Sequence, residues 1–412
     1  MNSALVRRVL LARGLRAFAD GYVALLLPLY LLLLGMSTLQ VGIITAGTLF
    51  GSALLTLAVG LQAWRFSLRS LLLAAAALMG VTGLGFGVLT DYWPLLLVAV
   101  VGTLNASSDD VSVFLTLEHT LLSRAAPPAQ RTSAFARYSL VGATIGAAGA
   151  LAAGLPSLVA SALGIGVRPV MQASFIGYAL IGVSMAAIYR HLPREPQATD
   201  TARPAALGAS SRRTVYKLAA LFSLDAFGGG LAIQSMLVLW LHLHFGLTPA
   251  DTAKIFFCSG LLSASSFFFV PRLARRFGLL NTMLLFHAPA SVLLLLIPLM
   301  PNASWTIALI LLRAAIASLD VPARSAYVMS VVTPSERPAA ASLTVVPRSL
   351  MWAAGPLLTG YLLSVSSFGW PLMIAGIVKL AYNAMLFAGF AKVPLQSESD
   401  ASPWAERPTT RN

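Results

Sequence analysis

Long apolar runs alternate with short polar, glycine-containing or proline-containing segments along the whole chain. Each run is about twenty residues long, the length an α-helix needs to cross a hydrocarbon layer about 30 Å thick. Read against the intervening Gly, Pro and charged residues, the pattern predicts helices near residues 10–34, 41–61, 71–89, 93–113, 134–155, 169–189, 218–241, 255–270, 279–299, 305–325, 339–363 and 371–390. The fold class predicted is an all-α membrane protein with twelve transmembrane helices.

The composition excludes an ordinary soluble domain. Of 412 residues, 58% are hydrophobic and 10% charged, and the mean hydropathy is +0.81; soluble domains carry about a quarter charged residues. The net charge of +14 does not predict nucleic-acid binding, because the basic residues lie mainly at alternate connections. With a cytoplasmic N-terminus, the outer connections hold only Arg168 and Lys254. The positive-inside rule then places both termini in the cytoplasm.

A polar segment divides the chain in two. Residues 191–213 are rich in Pro, Ala, Ser and charge and lack an apolar period, as a flexible linker does. We therefore expect an N-terminal six-helix bundle over 1–190, a cytoplasmic linker over 191–213, a C-terminal six-helix bundle over 214–396 and a disordered tail over 397–412.

The two halves share short motifs at a nearly constant offset. The matches include Ala17-Phe18 with Ala226-Phe227 at 209, Asp110 with Asp320 at 210, and Gly149 with Gly355 at 206. A constant offset across several helices indicates duplication. Six spans per repeat give both halves the same orientation, so the bundles should be pseudo-symmetric about an axis along the membrane normal.

The connection after the second predicted helix carries Gly60, Arg65 and Arg69, with Trp64 between them. This stretch resembles the G-x-x-x-D-R-x-G-R-R loop of the major facilitator superfamily, with Trp64 in place of the acidic residue. The resemblance covers the twelve-helix region and implies a transporter with a central cavity between its halves. It does not specify the substrate.

Small residues recur on two predicted helices. The fifth has Gly142, Gly146 and Gly149, similar in spacing to a motif of drug and proton antiporters, with Ala147 where that motif has Pro. The eleventh helix has three comparable residues: Gly355, Pro356 and Gly360. Such residues let helix backbones approach closely, either as ordinary packing or where helices rock against each other.

Ionisable residues inside the membrane are costly and need a partner or a wet cavity. Arg16 and Asp20 are four residues apart and can pair on one helix face. Asp20 is therefore either a proton-binding or cation-facing group, or half of a structural ion pair. Asp225 lies nearly opposite Arg16 in the repeat alignment, and a pair between them across the two halves is left open.

Polar residues near mid-membrane are candidates for solute contacts. Arg313 is the deepest cation, and the resemblance places its helix at the cavity, so it is a candidate for an anionic group on the solute; the alternative is a pair with a neighbouring acid. Asn105 and Gln234 add either polar solute contacts or helix-packing hydrogen bonds. His287 and Lys379 lie on helices that the resemblance places outside the cavity, and we expect them to be structural or snorkelling.

Symmetric charges near the inner ends of the fourth and tenth helices favour a cytoplasmic gate, with a contact to the substrate as the alternative. The carboxylates of Asp110 and Asp320 are expected to pair with loop arginines when the inner side closes. The further gate candidates are Gly60, Arg65, Arg69, Arg275, Arg276 and Arg324.

The chain has no G-x-x-x-x-G-K-[ST] loop for direct ATP coupling. We therefore expect a secondary transporter that uses a proton gradient, with no bound cofactor or metal, a small-molecule solute and membrane lipid as partners, and a monomeric state in the bacterial inner membrane. The glycine spacing favours export. The alternatives are an uptake permease and a non-transporting receptor or scaffold; a membrane enzyme would need catalytic motifs that the sequence lacks.

Overall fold

The computed structural model describes residues 3–62, 66–107, 112–125, 130–193, 209–266, 279–317, 324 and 337–390. Within these ranges every regular element is helical. The helices are α1 Ser3–Leu33, α2 Thr38–Gln62, α3 Leu68–Val88, α4 Tyr92–Val101, α5 Val113–Ala125, α6 Arg131–Ala152, α7 Leu155–Leu163, α8 Val167–Tyr189, α9 Ala209–Leu231, α10 Gln234–Phe245, α11 Pro249–Ser266, α12 Leu279–Leu296, α13 Ala303–Ala317, α14 Arg337–Val365 and α15 Trp370–Phe390.

The all-α membrane class is confirmed. Seven described helical segments are long and apolar enough to cross a membrane, two of them formed by consecutive helices, α6 with α7 and α9 with α10. Four further apolar helices are shorter. The described helices follow the predicted order, and the count of twelve crossings stays a prediction.

The fourth predicted span is not the continuous helix that we expected. Helix α4 ends at Val101, and α5 begins at Val113. Gly102 has extended backbone and lies against Thr82 of α3, whose hydroxyl accepts a hydrogen bond from the Thr103 N–H at 3.3 Å. The Asn105 Oδ1 accepts from the Ser107 N–H and hydroxyl at 3.1 and 2.8 Å. Such local side-chain bonds compete with helix formation, which explains the break.

A second break separates α9 from α10. Ile233 is extended, so a carbonyl at the end of α9 loses its helical partner. The Thr359 hydroxyl of α14 donates to the Leu231 carbonyl at 2.8 Å. Non-helical backbone at membrane depth is tolerated only where protein or a wet cavity satisfies it, and Thr359 does so here.

Helix packing in the second half repeats that of the first. Helix α1 packs on α6, α2 on α4 and α3 on α8; correspondingly, α9 packs on α14, α11 on α13 and α12 on α15. The halves meet where α2 packs on α14 and α6 on α11. The equivalent pairings are the arrangement expected of a duplicated sequence.

Glycines allow backbone contact at several of these junctions. A Cβ on Gly42 of α2 would lie 2.8 Å from the Gly360 Cα of α14, so the two backbones touch. Gly355 lies against Gly230 of α9, and Gly149 against the Phe18 carbonyl of α1. The Gly146 backbone also touches α1, since a Cβ on Gly21 of α1 would overlap the Gly146 carbonyl group.

The connection after α10 shows how the helix ends are specified. Gly246 follows the last residue of α10 with a φ of 66°, a left-handed conformation that favours glycine. Thr248 then caps α11: its hydroxyl accepts from the Asp251 N–H at 3.2 Å, and the Asp251 carboxylate accepts from the Thr248 N–H and hydroxyl. This reciprocal capping box begins α11 at the surface.

Candidate functional site

Arg16 is the centre of a buried cluster in the first half. It is 1% exposed, and its Nη2 donates to Glu118 Oε2 at 3.0 Å and to the Tyr138 hydroxyl at 2.8 Å. Its Nη1 donates to the Ser112 hydroxyl at 3.0 Å. The Tyr138 and Tyr189 hydroxyls donate to the two Glu118 oxygens at 2.5 and 2.6 Å. The cluster therefore joins α1, α5, α6 and α8.

Asp20 and Arg13 border this cluster, which we call the Arg16 cluster. The Asp20 carboxylate lies 3.7 Å from Arg16 Nη1, one helical turn along α1. The Arg13 guanidinium lies over the Tyr138 ring at 5.0 Å and occupies the space where Gly142 has no side chain. Gly142 thus admits a charged group rather than a neighbouring backbone.

Asp225 is the centre of a second buried cluster in the second half, the Asp225 cluster. Lys379 Nζ donates to its Oδ1 at 2.7 Å, and Arg324 Nη1 to its Oδ2 at 3.0 Å. His287 Nε2 lies 3.0 Å from Oδ1. All four side chains are buried; three of them come from α9, α12 and α15, and the fourth is that of Arg324.

His287 also contacts two residues of α15. Its Nδ1 lies 3.1 Å from Asn383 Oδ1, and its Nε2 lies 3.4 Å from Lys379 Nζ. The Tyr382 ring meets the imidazole edge-on at 5.3 Å. Each ring nitrogen therefore faces a polar group.

The two clusters occupy related positions with opposite charge. Arg16 and Asp225 are separated by 209 residues, the offset of the repeat. Arg16 and Asp225 do not pair with each other. Arg16 contacts Glu118, and Asp225 contacts Lys379 and Arg324. Because buried charges need close partners, each half stabilises its own central charge.

Of the two expectations for His287 and Lys379, structural or snorkelling, the structure agrees with the structural one. Both side chains are at least nine-tenths buried, and their polar ends lie at Asp225 rather than at the membrane surface. A snorkelling side chain extends its charged group to water at the membrane surface. Here a buried carboxylate supplies the partner instead.

The remaining predicted residues fall at several places. Asn105 lies in the break between α4 and α5, and Gln234 is the first residue of α10 after the other break. Arg313 is half-buried on α13, Arg69 is half-buried near the start of α3, and Gly60 lies near the end of α2. Five gate candidates lie outside the described residues: Arg65, Asp110, Arg275, Arg276 and Asp320.

Sequence reasoning missed Glu118 and its two tyrosine partners. The fourth span was expected to stop at Val113, which left Glu118 in a loop, whereas α5 continues to Ala125. The apolar run over residues 111–122 was the available signal, because a lone acid in such a run needs a buried partner. The described residues contain no group of three or more His, Cys, Asp or Glu able to hold a metal ion.

Comparison with known proteins places the fold. A variant of the nucleoside transporter NupG is 13% identical, with a TM-score of 0.75 over 94% of this chain and 100% of that one. The xylose transporter XylE from E. coli, inward open, is 13% identical, with a TM-score of 0.71 over 96% and 99%. An inward-facing, occupied bacterial homologue of the human lysosomal transporter Spinster is 18% identical, with a TM-score of 0.70 over 94% and 96%.

Sequence comparison agrees with the structural likeness. An uncharacterized membrane protein of Saccharomyces cerevisiae is 23% identical over 413 residues, which cover 92% of each chain. The family model of the Major Facilitator Superfamily matches residues 9–319, well over half of the chain. The chain therefore belongs to the Major Facilitator Superfamily and is a multi-pass membrane transporter, not an enzyme.

Proposed function

We propose that this chain is a proton-coupled secondary transporter that exports a small solute by alternating access. The observation that carries the proposal is the division of buried charge. Each half has its own network, centred on Arg16 or on Asp225, that joins helices of that half. Helices held in this way move together, and the two halves are then the moving units.

The contacts between the halves suit such a movement. Gly42 faces Gly360, and Gly154 lies near Ala250, with an ideal Cβ 3.1 Å from the Ala250 Cα. Small residues give flat surfaces on which helices rock without breaking hydrogen bonds. These contacts lie at the end of the bundle that carries Gly35 and Gly246, which we call the Gly35 end. We take this end as outer, with both termini cytoplasmic.

Buried carboxylates support proton coupling. Asp20 is 6% exposed, and the carboxylate closest to Arg16 is that of Glu118, at 3.0 Å, against 3.7 Å for Asp20. A carboxylate beside an already paired cation can take up a proton without leaving that cation alone. We assign Asp20 as the coupling carboxylate of the first half.

For the solute, we propose contacts at the two helix breaks. Asn105 and Gln234 lie at these breaks, where backbone groups are released from helical bonding, as in other transporters that bind solutes at discontinuous helices. Arg313 supplies positive charge for an anionic group. The cytoplasmic gate proposed for Asp110 and Asp320 stays a prediction, and Arg324 acts in the Asp225 cluster as well.

Uptake is the second candidate, because the similar structures include a nucleoside transporter and a D-xylose-proton symporter. At these identities the likeness carries the fold and not the substrate. The direction of solute transport must therefore be measured in a flux assay.

The test is solute flux into and out of proteoliposomes across a panel of drugs, sugars, nucleosides and organic anions, with and without an imposed pH gradient. We expect one class to accumulate against its gradient only when the pH gradient is present. Asp20→Asn should abolish this accumulation, and Asp251→Asn, at an exposed carboxylate, should retain it. Flux that ignores the pH gradient contradicts proton coupling. No flux of any class favours a receptor or scaffold.

A further inference from the structure

Two groups of opposite charge face the same ring nitrogen of His287, and they favour opposite protonation states of that nitrogen. Asp225 is already neutralised by Lys379 at 2.7 Å and Arg324 at 3.0 Å. The imidazole is a third group on the same carboxylate, and its Nε2 faces both the Asp225 oxygen at 3.0 Å and the Lys379 ammonium at 3.4 Å. The carboxylate favours a proton on Nε2, whereas the ammonium favours a bare lone pair there.

Each protonation state of the ring finds partners on both sides. With the proton on Nδ1, that N–H donates to Asn383 Oδ1, and Nε2 accepts from Lys379. With both nitrogens protonated, Nε2–H donates to Asp225, and Nδ1–H still donates to Asn383. Neither state leaves a ring nitrogen unpaired, so neither pays the cost of a buried unsatisfied group.

The Asn383 side-chain amide can support a further protonation state of the His287 ring. Its Nδ2 is buried and has no hydrogen-bond partner among the described residues. An amide reversed by 180° places Nδ2 towards His287 Nδ1 and supports the third state, with the proton on Nε2 alone. The orientation of an amide and the tautomer of a histidine are set together by the network.

From these contacts we propose that His287, held between Asp225, Lys379 and Asn383, is a proton-binding site of the second half. Histidine is the side chain whose ordinary titration falls between about pH 5 and 8. The ionisable groups around it come from α9 and α15, namely Asp225, Lys379 and Tyr382, with Arg324 on the far oxygen of Asp225. Helix α13 also packs on α12 and carries Arg313 as its one ionisable residue.

Proton uptake at His287 changes which partner the ring holds. In the neutral Nδ1–H state the ring accepts from Lys379; in the charged state it competes with Lys379 for Asp225 Oδ1. The proton therefore loosens the link between α9 and α15 made by Lys379. This deepens the proposed proton coupling and rests on it, by giving the second half its own proton acceptor.

The experiment is a pH titration by nitrogen NMR of protein labelled with ¹⁵N-histidine in lipid nanodiscs. The chain has five histidines, and His287→Asn identifies the signal; should that variant not fold, removal of the other four, one at a time, assigns it. We expect the signals of the charged ring to give way to those of the neutral ring as the pH is raised. The midpoint should rise by about one pH unit or more in Lys379→Met and fall in Asp225→Asn.

His244→Asn is the matched control, since His244 contacts the Ser367 carbonyl oxygen at 2.9 Å in an exposed position; the His287 midpoint should not move. One unchanging ring state across the whole range, in the parent and both cluster variants, overturns the inference. A His287 midpoint that moves in the same direction in Lys379→Met and in Asp225→Asn also overturns the inference. The NMR titration uses no solute, so it is independent of the flux assay. Proton-coupled flux together with a His287 ring that keeps one protonation state refutes this proton site alone. A His287 ring that changes protonation state in a protein without flux refutes the proposed function.

Discussion

Arg16 and Asp225 occupy equivalent positions in the two repeats, carry opposite charges, and are each held by partners from their own half. Arg16 is paired with Glu118 at 3.0 Å, and Asp225 with Lys379 at 2.7 Å. The offset of 209 residues keeps the place of the central charge, while its sign is reversed. In the described part of the chain, each of these two central charges is therefore stabilised within its own half.

Removing the acid of the Arg16 cluster should destabilise the protein strongly. Glu118→Ala leaves the Arg16 guanidinium buried without its closest carboxylate, which costs about 3–5 kcal/mol. Thermal unfolding in detergent should show a large fall in midpoint. Asp251→Ala, at an exposed acid, should change stability by less than about 1 kcal/mol.

The double variant Arg16→Met with Glu118→Leu separates charge burial from packing. Replacing both partners of a buried pair by apolar residues is often nearly neutral, so it should recover most of the stability lost by Glu118→Ala. A double variant as unstable as the single one contradicts this explanation.

The contact between α2 and α14 should not tolerate a methyl group. A Cβ on Gly42 would lie 2.5 Å from the Pro356 carbonyl oxygen and 2.8 Å from the Gly360 Cα. Gly42→Ala should therefore cost about 1–3 kcal/mol through overpacking, measured as a lower unfolding midpoint. Gly177→Ala on α8, where nothing lies within 4 Å of the added atom, should be neutral or stabilising, and an equal loss in both variants would refute the contact.

Thr359 is expected to hold the break between α9 and α10. Thr359→Val keeps the shape and removes the hydroxyl that donates to the Leu231 carbonyl. The loss should be about 1–3 kcal/mol, the cost of a buried carbonyl left unsatisfied, visible as faster hydrogen exchange around residue 233. Thr120→Val, whose hydroxyl bonds within its own exposed helix turn, should show little change.

Asp251 gives a pH dependence at the surface. The Thr248 hydroxyl bond holds the pKa of the Asp251 carboxyl below its usual value. Since the folded pKa is depressed, the carboxylate adds stability above its unfolded pKa, near 3.9, and this stability is lost as pH falls through the folded value. The difference in unfolding midpoint between the parent and Asp251→Asn should be small at pH 7 and vanish in acid.

Much of the fold was predictable because membrane burial leaves a strong periodic signal. Hydropathy alone predicted the order of the helices and the all-α class. The break after Val101 was not predicted, because it depends on Thr82 of another helix accepting the Thr103 N–H. Gly102 is a local hint, but a glycine in an apolar run is equally compatible with close packing.

The candidate site was predictable only in part. Arg16, Asp20 and Asp225 were found because charges in apolar runs are rare. Their partners were not, since sequence spacing reveals partners on the same helix and not on others. Lys379 reaches Asp225 across 154 residues, and Glu118 reaches Arg16 across 102. Such pairs follow from packing between helices, which no local pattern encodes.

The most direct test of alternating access is to lock the Gly35 end. In a Cys258→Ser background, cysteines at Thr38 and Tyr361, beside the contact between Thr38 and Gly360, are joined by a short bis-maleimide. A second pair at Val88 and Gln172 joins α3 to α8 within the first half as the control. We expect the pair between the halves to abolish flux in proteoliposomes and the control pair to leave it intact; unchanged flux after complete linkage between the halves would contradict the account.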